Sequence, residues 1–165
     1  MNLRINPLKN WGLVVVVLTM LSTLLQSQDY EKIMTDYSEK FLSYSQVFVK
    51  YASQQVYTET EYAAALVVSD VAEDFYQHTS YLGDYLLILK ILKKQEKEKE
   101  LVERLLKLRL ESVVLECDAE TKKIKKAIQS VEDESITKTA NALMEDLINL
   151  RNVFEKIHSM YQNKG

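Results

Sequence analysis

Side chains able to do nucleophilic or metal chemistry are few: His78 and His158 are the only histidines and Cys117 the only cysteine. Nucleophilic catalysis needs a base within reach of the nucleophile and a third group to orient it. No Gly-x-Ser-x-Gly, His-Glu-x-x-His or Cys-x-x-Cys pattern occurs, which removes the signatures of hydrolase elbows, zinc proteases and redox dithiols. The expectation is a protein that is not an enzyme. For a metal, Asp70, Asp74 and His78 follow one another at intervals of four, a spacing that puts them on one helix face. The competing reading is a solvated acidic flank with His78 paired to Asp74. Glu155-Lys-Ile-His158 supplies one Glu-x-x-His motif, where di-iron bundles use two on separate helices. Neither metal nor cofactor is therefore expected. Cys117 reads as a small apolar member of a buried stripe with Leu110, Val113 and Ile124.

Met34 and His158 carry the alternative. Methionine and histidine are axial haem ligands, and in a bundle whose helices alternate in direction the start of the first helix and the end of the fourth share a pole. In ligand types and chain positions this resembles the periplasmic cytochrome b562 bundle. Arg151-Asn152-Val153-Phe154 is similar to that family's segment before its haem histidine, although Glu155 follows here and His158 comes three positions late. The resemblance implies a b-type haem held by Met34 and His158.

The elements that must position these groups follow from what is scarce. Of 165 residues only three are Gly and one is Pro, and Gly83 is the only one of either type between residues 13 and 164. Sandwiches and barrels need turn glycines at their corners, and phosphate loops need several in a row. An all-α chain remains. Its first seam alternates Tyr30, Tyr37, Tyr44 and Tyr51 with Met34, Phe41 and Phe48, both sets spaced by seven, which is a coiled-coil-like face. Thr58-x-x-Glu61 has capping-box spacing and predicts the start of a second helix. That helix's seam reads Val68, Ala72, Phe75, Thr79, Leu82, Leu86 and Leu89. Its first half is thin in alanines, so large rings on the first helix are expected to face small residues on the second.

Lys93 to Glu100 contains no apolar residue and is read as a turn or as the exposed waist of one long helix. Beyond it Leu101, Leu105 and Leu108 begin a seam that shifts to Leu110, Val113, Cys117, Ile124, Ile128 and Val131, predicting a kink or stutter near residue 118. The last seam, Ile136, Ala140, Leu143, Leu147, Leu150, Phe154, Ile157 and Tyr161, alternates four and three without a fault, with Asp133 or Ser135 to cap it. The expected architecture is an elongated up-down-up-down four-helix bundle. Three long helices in a coiled-coil arrangement are the alternative.

Ahead of the bundle, Arg4 and Lys9 precede an uncharged stretch whose apolar centre runs from Trp11 to Leu25. Residues 1–27 are therefore expected to be a signal peptide, with residues 11–28 as a retained membrane anchor in the alternative reading. Residues 28–165 form a single helical-bundle domain, periplasmic or secreted. With 10 acidic and 4 basic residues in 28–92 and a nearly balanced second half, there is no basic stripe for nucleic acid.

Nine of the ten tyrosines lie between Tyr30 and Tyr85, and residues 86–92 are apolar nearly all round the helix. Tyr30, Tyr37, Tyr44 and Tyr51, with Leu87, Ile88 and Ile91, are the expected contacts for a protein partner or for self-association. A membrane is involved only if the N-terminal segment is retained. The functional expectation is a non-enzymatic interaction or structural module of the cell envelope. A ligand-binding bundle, sensor-like or haem-carrying, is the alternative.

Overall fold

A computed structural model describes residues 8–54 and 57–162, with side chains described from Tyr30 onward. Four helices follow one another: α1 (Leu8–Ala52), α2 (Glu59–Ile91), α3 (Glu96–Ala127) and α4 (Glu134–Gln162). The chain is an all-helical bundle, without strands among the described residues. The three-helix alternative is thereby excluded: α2 stops at Ile91, residues 92–95 turn, and α3 opens at Glu96 inside the charged run. The expected signal or anchor falls outside the residues whose side chains are described. Among the residues that are described, no helix is long and apolar enough to cross a membrane.

Local chemistry sets the helix ends. The Glu61 amide donates to Thr58 Oγ1 at 3.2 Å while the Thr58 amide donates to Glu61 Oε2 at 2.8 Å, so two orphan donors are satisfied reciprocally, an arrangement that stabilises a helix by about 1 kcal/mol. Asp133 is the residue that caps α4, accepting from the Ile136 amide at 2.9 Å. Gln95 makes no side-chain cap for α3, but Glu96 and Glu98 in its first turn oppose the positive end of the helix dipole.

Consecutive helices run antiparallel. Glu31 of α1 takes an ion pair from Lys90 at the end of α2, 3.1 Å away, while Ser45 further along α1 meets Ser69 early in α2 with their hydroxyls 3.3 Å apart. Between them the rings of Phe41 and Phe75 lie 5.8 Å apart at a tilt. This α1–α2 contact is the most extensive, α3 packs on α2 and on α4, and α4 reaches back to α1 over a narrower strip. The core contains Met34, Phe41 and Phe48 of α1, Phe75 and Leu82 of α2, and every expected seam position of α4 from Ile136 to Ile157. Burying each of the large apolar side chains among them contributes about 1.5–3 kcal/mol.

Helix α3 departs from expectation. It runs unbroken from Glu96 to Ala127, and its core stripe is Leu106, Leu110, Val113, Cys117 and Ile124, continued by Ile128 beyond the helix end. Leu101, Leu105 and Leu108 do not begin that stripe. They point outward and are 58%, 42% and 55% exposed. No shift of seam is needed, because Leu106 lies four residues before Leu110 and extends the same 4-3 alternation backward.

Candidate functional site

His78 is held most tightly among the candidate ligands. Its Nε2 lies 2.7 Å from Glu116 Oε2 and its Nδ1 lies 2.6 Å from Arg109 Nη2, both on α3. A guanidinium can only donate, so Nδ1 accepts and the ring proton sits on Nε2, where it donates to the carboxylate. Burial and the neighbouring Arg109 charge hold the imidazole below its usual range, against the pull of Glu116 and Asp74. Burial pushes the Glu116 carboxyl up, but the Ser112 hydroxyl bonded to it at 2.6 Å and the nearby His78 and Arg109 more than reverse this, leaving it lowered.

His78 thus pairs across the α2–α3 interface and not with Asp74, because it stands on the flank of α2 that faces α3. Asp70 and Asp74 remain exposed. Among the described residues no three His, Cys, Asp or Glu side chains converge where they could hold a metal ion. Asp70, Asp74 and His78 do not converge as such a group in this structure.

The two candidate haem ligands are engaged separately. Met34 is fully buried in the core, and its Cβ lies 3.5 Å from where a Cβ on Gly83 would stand. His158 places Nε2 3.0 Å from Glu111 Oε1 on α3. Arg151, which opens the segment that resembles the cytochrome's, pairs with Glu155, the residue that follows that segment, and also with Asp118. Cys117 is 1% exposed, and burial pushes its thiol up to about 12, which suppresses the reactive thiolate.

The tyrosines close the bundle from within. Tyr37 stacks on Phe41 with ring centroids 5.9 Å apart, and Tyr51 meets Phe48 and Tyr57 edge-on at 5.6 and 6.0 Å. Tyr44 donates to Asp146 Oδ2 at 2.7 Å, and Lys40 holds the other carboxylate oxygen at 2.6 Å. Tyr30 also packs half-buried against the core. These four rings are therefore half-buried against the core, and the Tyr44 hydroxyl is already engaged.

The apolar end of α2 divides differently. Leu86 and Leu89 are buried, while Leu87, Ile88 and Ile91 are exposed, Ile91 at 72%. Together with Leu101, Leu105, Leu108 and Leu115 of α3, the last 71% exposed, they are large apolar side chains that the bundle does not cover. The α3 stripe was missed as a surface feature because its spacing is as good as that of the core stripe beside it. Concave regions of the surface are open to solvent: one between α1 and α2 is lined by polar Glu31, Thr35 and Thr79 with Gly83 and Leu87, another by Lys122, Lys125, Lys126 and Ile128.

No family model, curated protein or solved structure matches this chain.

Proposed function

We propose that this chain is an exported, non-enzymatic interaction module: an up-down-up-down bundle behind an N-terminal signal segment, acting in the cell envelope by docking its outer apolar faces on protein. The observation that carries this reading is the second leucine stripe of α3. Leu101, Leu105, Leu108 and Leu115 stay outside a bundle whose core is already supplied by Leu106, Leu110, Val113 and Cys117. Contiguous apolar surface of this kind marks interaction sites on soluble proteins. Support also comes from the chemistry that is already occupied: both histidines are tied to carboxylates and the thiol is buried.

Native mass spectrometry of the protein, purified gently from cells that make it, tests the reading. The expected result is a protein assembly without a retained small molecule, with an N-terminus at Gln28. A single chain carrying a haem-sized or lipid-sized adduct would overturn it in favour of a ligand-binding bundle.

A further inference from the structure

We infer that the outer stripe of α3 is the seam of a homodimer, in which α3 pairs antiparallel with α3 of a second copy of this chain. The inference rests on the interaction-module reading and names its partner. Leu101, Leu105, Leu108, Ser112 and Leu115 alternate by four and three, which is the a/d spacing of a coiled coil. Because α3 already spends one such stripe on its own bundle, the second is free to receive an identical helix. Ser112 does not spoil it: its hydroxyl donates to Glu116 Oε1 at 2.6 Å and is satisfied before any partner arrives.

Charge decides direction and register. On the flank of the stripe away from α2, the positions at intervals of seven are Lys97, Arg104, Glu111 and Asp118, all exposed. In a parallel pair the flanking contacts would set Arg104 against Arg109 and Glu111 against Glu116, like charges in both cases. In an antiparallel pair with Leu105 opposite the second copy's Leu108, Arg104 meets Glu111 and Lys97 meets Asp118, twice each by symmetry. Leu101 then packs opposite Ser112. Glu111 and Asp118 each use one oxygen on His158 and Arg151 and keep the other for the partner. The overlap, residues 97–118, is about 33 Å of helix. Tyr81 and Ile88, exposed on the outer flank of α2 three and ten residues beyond His78, border the seam and enlarge the contact.

Sedimentation equilibrium of the full-length protein in a mild detergent tests this, with circular dichroism confirming that each surface variant keeps the helical content of the parent. A dimer is expected. Arg104→Glu and Glu111→Arg should each weaken it by about tenfold or more, and the double reversal, which restores opposite charges across the seam, should return the affinity to within about threefold of the parent. Leu108→Lys should give a monomer. A parent that is monomeric at all concentrations, a dimer indifferent to the single reversals, or a double variant no better than the singles would overturn the inference. A monomer that emerges from the native preparation bound to a different protein would overturn the homodimer alone and leave the interaction module standing. A monomer that retains only a small molecule would overturn both.

Discussion

The Tyr44 hydroxyl on α1 donates to Asp146 on α4 at 2.7 Å, over a sequence separation of 102 residues. Asp146 is 7% exposed, and a carboxylate so placed is tolerated only when its oxygens are bonded. Lys40, itself half exposed, occupies the second oxygen at 2.6 Å. Since α1 and α4 share only a narrow strip, this three-residue cluster is a principal bond across it.

Tyr44→Phe removes one of the two side-chain bonds to a buried charge and should cost about 1.5–3 kcal/mol, read as a lower urea midpoint at unchanged slope. The parent should also lose stability in alkali. Burial and the Asp146 hydrogen bond raise the Tyr44 phenol above its ordinary 10, so the contribution is complete below pH 10 and fades as pH rises beyond it. Tyr44→Phe should remove that part of the alkaline loss.

The acid limb belongs to His78. Its imidazole is lowered in the folded chain, so the unfolded chain takes up its proton first. The stability it contributes is present above the unfolded value, about 6.5, and is lost as pH falls through the lowered folded value. The melting temperature of the parent should therefore drop from pH 7 to pH 5, and His78→Gln should show a smaller drop over the same interval.

Leu106 and Leu108 are two residues apart and face opposite surroundings, fully buried and 55% exposed. Leu106→Ala should cost about 2–5 kcal/mol, whereas Leu108→Ala should stay within about 0.5 kcal/mol of the parent at concentrations where the chain is a single copy. Thermal or urea denaturation of the pair checks the orientation of α3. Equal losses would mean that the helix is rotated.

Gly83 sits inside α2 without a positive φ, and a methyl group there would meet Met34 Cβ at an ordinary 3.5 Å. With space available and no backbone demand, Gly83→Ala should stabilise the protein by about 0.5–1 kcal/mol through the unfolded-state entropy it removes. Differential scanning calorimetry reads this as a raised melting temperature.

Much of this architecture is legible in residue order because it depends on local periodicity. The α4 seam and the Thr58–Glu61 box involve residues within one or two turns of each other, and both stand where spacing puts them. Helix α3 was only half legible. It carries two leucine stripes with the same 4-3 alternation, and nothing within the helix says which turns inward. That choice is made by neighbours far along the chain, through His78 on Arg109 and Glu116, and His158 on Glu111. The tyrosines were half legible for a related reason. Their heptad spacing announces a face, but what that face engages depends in part on Asp146, which no local pattern connects to Tyr44.

The pairing of helices also orders the way the chain can reach this state. Contacts of α1 with α2 and of α3 with α4 join segments adjacent in sequence across short turns, so each hairpin closes its loop at little entropic cost. The strip carrying Tyr44 and Asp146 unites the first and last helices across 102 residues, so closing it costs more chain entropy than either hairpin. We expect that bond to close after the folding barrier is crossed, so its removal should shorten the lifetime of the native state while leaving the folding rate nearly untouched.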